Sequence, residues 1–168
     1  AGTVRFYSQG DATTAGAPVA VQADGQSASE VSYSIPARPA RRISTDGVPA
    51  ATQAGSIRVV PSGSDAAPSG LGVFSFSSGG VTVSEAGVPA LRAFRSQRMY
   101  AQLSGPVQTG VAIANPSAVA VTATVNLSDL TGTFLGTSTL TIPANGQTAK
   151  FLNQLPGFES LADIEGVL

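Results

Sequence analysis

"TGVAIANPSAVAVTATVNLSDL", residues 109–130, decides how this chain is read. Val111 and Ile113 alternate with small residues, the run breaks at Asn115-Pro116, and alternation resumes through Val121, Ala123, Val125 and Leu127. A side-chain period of two belongs to a half-buried strand, so the stretch reads as two strands joined by a turn. Pro116 pushes Asn115 towards extended geometry, and the Asn115 amide suits an Asx-type turn. A ligand contact by Asn115 is the competing reading; the turn fits the pattern better.

Working outward, strand signals recur at 3–7, 31–35, 41–44, 56–60, 71–76, 81–85, 98–103, 110–114, 120–127, 134–142, 148–152 and 165–168. "LGVFSF" and "VTVSEAG" flank "SSGG", a hairpin signal, because both glycines can adopt positive φ. Gly87 after Glu85 suggests a bulge. In "IPANGQ", Pro143 ends a strand and Asn145-Gly146 turns it back. Helical periodicity is nearly absent, and only 158–164 suggests a short helical turn. Regular short strands with turn residues between them predict an all-β chain of antiparallel sandwiches.

Composition agrees. Of 168 residues, 11% are charged, against about 25% in ordinary domains. Nineteen Gly and eleven Pro are spread without a collagen period. A chain of this length buries roughly 70% of its unfolded surface, so it folds without a metal or disulfide.

Phrases recur within the chain. "TVRFY" (3–7) resembles "TVNLS" (124–128), and "YSIPA" (33–37) resembles "LTIPA" (140–144). "ARRIS" (40–44) sits where "AKFLN" (149–153) sits, and "GSIRV" (55–59) where "EGVL" (165–168) ends the sequence. The chain therefore divides into two related Ig-like sandwich units, 1–91 with an insert at about 9–25, and 92–168. The expected core draws on Val4, Phe6, Ile35, Ile57, Val59, Phe74, Val81, Val83, Tyr100, Val111, Ile113, Val125, Leu127, Leu140, Ile142, Phe151 and Leu152.

Cut at these points, both units have incomplete edges, and unpaired edges invite strand addition. Thr3, Val4, Arg5 and Phe6 at one end and Gly166, Val167 and Leu168 at the other are the candidate strand-exchange edges. An excerpt from a longer tandem array is the simpler account of the same pattern. The opening Ala1-Gly2-Thr3 fits a processed start or the edge of an excerpt.

Formal net charge is −1, which gives no field for nucleic acid. Eight Arg and six acids lie in 1–98, a surplus of two positive charges; Lys150 and four acids lie in 99–168, a surplus of three negative. That asymmetry favours head-to-tail packing of copies, although scattered solvent charges are the simpler reading. Arg38, Arg41 and Arg42, then Arg92, Arg95 and Arg98, are candidate contacts for an anionic polysaccharide or an acidic patch on a neighbour. Edge protection is the plainer role for them.

Catalytic chemistry finds little footing. There is no Cys and no His, which removes thiolate nucleophiles, the usual general base and a Ser-His-Asp triad. The remaining carboxylates, such as Asp163 with Glu165 or Glu30 with Glu85, lack the Trp-lined cleft of a glycosidase. Asp11, Asp24, Asp46 and Asp65 are isolated, without calcium-loop spacing. "SGLGVFSF" precedes a strand, not the helix of a phosphate cradle. The alternating threonines of "TSTLTI" suit a solvent-facing strand better than an ice-binding array. No metal or cofactor is implied, and no apolar run is long enough to span a membrane as a helix.

"PSGLGVFSFSSGGVTVSEAGVPA" (68–90), "TGVAIANPSA" (109–118) and "TIPANGQTAKFLNQLPGF" (141–158) resemble repeat units of large, uncharacterised secreted bacterial surface proteins. There, similar phrases alternate in tandem among Ig-like or fibronectin-like β-sandwich domains. The resemblance implies an extracellular or cell-surface, non-catalytic module and transfers no site residues. The expectation is a structural module of a bacterial fibre, sheath or adhesin stalk that associates with copies of itself. The alternative is an extracellular carbohydrate-binding module that uses Arg38, Arg41, Arg42 and nearby Tyr33.

Overall fold

The computed structural model describes residues 1–47 and 53–168. Fourteen strands lie among them: β1 (Gly2–Ser8), β2 (Val21–Ala23), β3 (Gln26–Ala28), β4 (Glu30–Tyr33), β5 (Gly55–Pro61), β6 (Leu71–Ser78), β7 (Val81–Pro89), β8 (Tyr100–Ser104), β9 (Val107–Gln108), β10 (Gly110–Ala114), β11 (Val121–Asp129), β12 (Phe134–Ile142), β13 (Gln147–Phe151) and β14 (Ile164–Val167). Every strand pair is antiparallel. The one helical element among the described residues is a 3₁₀ turn, Leu152–Gln154. The chain is all-β and sandwich-like, as its alternating pattern requires.

Two sheets carry most of the structure. One has the order β4-β1-β5; the other has the order β12-β11-β14-β8-β9. Strands β10 and β13 form a separate pair, and β2–β3 and β6–β7 are two-stranded hairpins. The first sheet and the β12-β11-β14 part of the second share one register under the sequence correspondences given above. Thr3 faces Ser32, and their counterparts Thr124 and Thr139 also face each other. Ser8 faces Gly55, and their counterparts Asp129 and Gly166 face each other. Both glycines are obligatory for one reason: a Cβ on Gly55 would collide with the Tyr7 carbonyl, and one on Gly166 with the Ser128 carbonyl.

The main core lies in the second half. Ala101 and Leu103 of β8, Val125 and Leu127 of β11, and Leu140 of β12 meet Leu152, Leu155 and Phe158 from the 3₁₀ turn and the loop after it. Ile113 of β10 packs against this cluster, so the β10–β13 pair faces the larger sheet across it. The segment expected as a helical turn, 158–164, is instead a chain of tight turns. Phe158 donates to the Leu155 carbonyl and Leu161 to the Phe158 carbonyl, at 2.9 and 3.1 Å. This geometry drops the Phe158 ring onto Gly136, where no Cβ obstructs it.

The first half is thinner. Phe6, Ala23 and Tyr33 are its buried apolar residues among those described. Several expected core residues are exposed, namely Ile57, Phe74, Val81, Val83, Tyr100 and Phe151. The strand expected at 41–44 does not form, and only Thr45 bridges to Ala23. Its counterpart β13 is held by β10, and among the described residues no strand pairs with 41–44 in that way.

Candidate functional site

Two features stand out: the junction between the halves, and the β6–β7 hairpin. At the junction, the loop after β1 runs along the "IPANGQ" turn. Gly16 N–H donates to the Ala144 carbonyl and Gln147 N–H to the Gln9 carbonyl, both at 2.8 Å. Gly16 packs so closely that any Cβ there would strike Asn145 backbone. Arg58 of β5 then reaches across. Its Nη1 donates to Asn145 Oδ1 at 2.9 Å, and its Nη2 to the carbonyls of Asn145 and Asn115 at 2.9 and 3.1 Å. The guanidinium lies over the Tyr7 ring, 4.0 Å from its centre. A planar fork of donors is suited to gathering several carbonyls at once, and the ring face adds cation–π attraction.

The turn receiving Arg58 is built by Asn115, which is 3% exposed. Its Oδ1 accepts from Ser117 N–H at 2.9 Å, closing the Asx turn. Its Nδ2 donates to the carbonyls of Val119 and Pro143 at 2.8 and 3.0 Å. Asn145 takes positive φ, 53°, which lets "PANG" reverse tightly. Asn115 therefore has the turn role that its Asn-Pro context suggests.

The β6–β7 hairpin is the second feature. Gly79 and Gly80 have φ of 58° and 78°, the two positive values a tight two-residue turn requires. The register shifts between Phe76 and Ser77, so the bulge lies opposite these residues, at Val83. Gly87, where a bulge was expected, pairs regularly with Val73. Residues that face each other share a side of the sheet, so one face carries Phe74, Phe76, Val81, Ala86 and Val88. The opposite face carries Leu71 and Val73 away from the turn and a polar ladder nearer it, with Ser75 donating to Glu85 at 2.6 Å and Ser77 meeting Thr82 at 3.4 Å. Both aromatic residues lie on the first face, and that face is in solvent: Phe74 is 63% and Phe76 61% exposed. Leu91 and Phe94, in the segment that follows, are exposed as well.

The other residues singled out from sequence are placed as follows. Thr3, Val4, Arg5 and Phe6 lie in β1, which has β4 on one side and β5 on the other. Gly166 and Val167 lie in β14 between β11 and β8, and Leu168 exchanges backbone hydrogen bonds with Met99 at 2.9 and 3.0 Å. Neither end is an open edge, because neighbouring strands already satisfy both sides. Arg5 also pairs with Glu30 at 2.6 Å.

Arg38 is exposed with φ of 76°, in the position that Asn145 holds in the second half. Arg41 is paired with Asp24 at 2.7 Å, and Arg42 is exposed. Tyr33 does not stand beside them as a stacking platform, because it is 7% exposed and its ring is in the core. Arg92, Arg95 and Arg98 lie along the exposed segment between β7 and β8.

Of the shallow depressions on the described surface, a first is bordered by Leu103, Asn153 and Asp163, and a second by Arg5, Tyr7 and Glu30. In the second, the carboxylate is occupied by Arg5. Among the described residues no group of three or more metal-ligating side chains converges, and no helix is long and apolar enough to cross a membrane. Compared with known proteins, the chain matches no family model, no curated protein and no solved structure.

Proposed function

We propose that the protein is a non-catalytic structural module that associates with further copies of itself, at the cell surface or outside the cell. The observation that carries this reading is the β6–β7 hairpin, whose apolar face is uncovered. A lone two-stranded hairpin is marginal in water, and a contiguous exposed apolar patch marks an interaction surface. Each Phe or Val on that face contributes ~1.5–3 kcal/mol when fully buried, so Phe74, Phe76, Val81 and Val88 together supply a large driving force for association. Few charges oppose close packing, since only 11% of residues are charged. The extracellular setting follows from the resemblance to secreted surface repeats.

The test is light scattering on a sizing column, with electron microscopy of the same fractions. The wild type is expected to form oligomers or filaments. F74D/F76D is expected to be monomeric with an unchanged far-UV circular dichroism spectrum. A wild type that stays monomeric at high micromolar concentration would sink the reading.

The second reading is binding of an anionic polysaccharide, favoured by the exposed Arg38 and Arg42 and by Arg92, Arg95 and Arg98 in one exposed segment. It predicts salt-sensitive retention on a sulfated or uronic-acid resin that R92S/R95S/R98S abolishes. Such retention by a purely monomeric protein would favour this reading over assembly.

A further inference from the structure

In the second half, the outer edge of β14 is covered by the hairpin formed by β8 and β9. That hairpin supplies Ala101 and Leu103 to the core, both buried. The counterpart of β14 in the first half is β5, since Gly55 faces Ser8 as Gly166 faces Asp129. Strand β5 is the outermost strand of its sheet, and its Ile57 is 58% exposed. Among the described residues the first half thus has an open edge and a thin core at the place where the second half seats a hairpin. The same chain carries one hairpin, β6–β7, with an uncovered apolar face.

We infer that the β6–β7 hairpin of one copy seats on the outer edge of β5 in a second copy, in the position that β8–β9 holds within the second half. This deepens the assembly reading and rests on it. Main-chain hydrogen bonds to the β5 edge would fix the alignment, and the Phe74–Phe76 face would cover the first-half core, as in strand addition generally. Donor and acceptor are different surfaces of one chain, so the contact is head-to-tail. Such contacts run on into filaments unless the rotation closes a ring.

The absence of cysteine makes the test clean. One preparation carries Ile57→Cys on β5; others carry Leu71→Cys, Val73→Cys or Val88→Cys on the hairpin. Ser160→Cys, exposed and outside both elements, is the control. Mixed and mildly oxidised, I57C is expected to give at least tenfold more disulfide-linked heterodimer with one hairpin variant than with S160C. The best partner then reports the register.

The double variant I57C/V73C guards against self-capture. The nine residues 62–70 between β5 and β6 reach up to about 30 Å, enough for the hairpin to fold back on its own edge. Rapid closure of this variant as a monomer at high dilution would overturn the inference. If oligomers form but hairpin cysteines link only to each other, the seat on β5 is wrong and the assembly reading stands. If nothing associates, both fall together.

Discussion

Arg58 holds Asn145 by two hydrogen bonds at once, Nη1 to Oδ1 and Nη2 to the backbone carbonyl, each 2.9 Å long. The pair joins the middle of β5 to the turn between β12 and β13, so it sets how the first half sits on the second. The guanidinium meets neutral carbonyls here, with the Tyr7 ring beneath it. Shape and donor geometry therefore matter more than net charge.

R58A is expected to cost roughly 1.5–3 kcal/mol, the range for hydrogen bonds to a charged group. R58K should recover only part of this, because an ammonium cannot span the two Asn145 oxygens as a planar fork does. Urea unfolding measures the loss. Small-angle scattering should show a broader distribution of distances between the halves in R58A. Equal stability of R58K and wild type would show that charge alone suffices at the junction.

Gly55 and Gly166 provide a matched pair. Neither has positive φ, so replacement by alanine would ordinarily stabilise by about 0.4–1 kcal/mol through the unfolded chain. In both, however, the new Cβ would meet a backbone carbonyl of the adjoining strand, which cannot move aside as a side chain can. G55A and G166A are each expected to destabilise by roughly 1–3 kcal/mol, the usual cost of overpacking. Thermal or urea melts give the sign directly. A stabilised G166A would mean that β14 pairs with β11 more loosely than the register of Ser128 and Asp129 implies.

These glycines also show what the sequence made legible. Aligning "TVRFY" with "TVNLS" and "YSIPA" with "LTIPA" anticipates that Thr3–Ser32 and Thr124–Thr139 are equivalent facing pairs, because register follows from the same period-two pattern in both halves. The Asn115 turn was equally readable, since Asn-Pro chemistry is local. Burial was not. Phe74 and Val81 alternate like core residues, but alternation says only that a face is apolar, and here none of the described residues buries it. Residues 41–44 read as a strand by composition, yet a strand also needs a partner, and the partner that β10 provides for β13 has no first-half equivalent among the described residues. The Arg58 junction was invisible for a similar reason: its acceptors lie 57 to 87 residues away and meet it only once both halves are folded.

Asn115 tests the turn itself. N115A removes donors to Val119 and Pro143 and leaves the Ser117 N–H without its acceptor, in a place nearly closed to water. A loss of about 1–3 kcal/mol is expected, the cost of orphaning buried polar groups. N115D should be worse at neutral pH, because a carboxylate would face those carbonyls in place of the amide. Its pKa would be raised, so its deficit should shrink as pH falls and the protonated acid regains a donor. Urea midpoints at pH 7 and pH 4 decide it. An N115D deficit that does not change with pH would mean the side chain swings out to solvent.

Asp129 behaves in the opposite sense. Its Oδ1 accepts from the Thr131 hydroxyl at 2.7 Å, from Thr133 N–H at 2.8 Å and from Thr131 N–H at 2.9 Å, closing the turn between β11 and β12. The Thr131 hydroxyl first, and then the Thr133 amide, hold its carboxyl below the usual value. Asp11 repeats the arrangement before Thr13 and Thr14 and is lowered in the same way, chiefly by the Thr13 N–H. A folded-state pKa below the unfolded one adds stability that is complete above the unfolded value, near 3.9, and is lost as pH falls through the folded value. Stability from these turns should therefore be flat from pH 7 to 5 and decline only in stronger acid. D129N keeps one acceptor oxygen but not the charge, so it should be less stable than wild type at pH 7, and the gap should narrow below about pH 4 as the wild-type carboxyl takes up its proton. Carboxyl carbon shifts followed by NMR, alongside urea melts at pH 7, 5 and 3, would check both halves of this expectation. A gap between D129N and wild type that stays constant down to full protonation would show that the turn depends on oxygen geometry and not on charge.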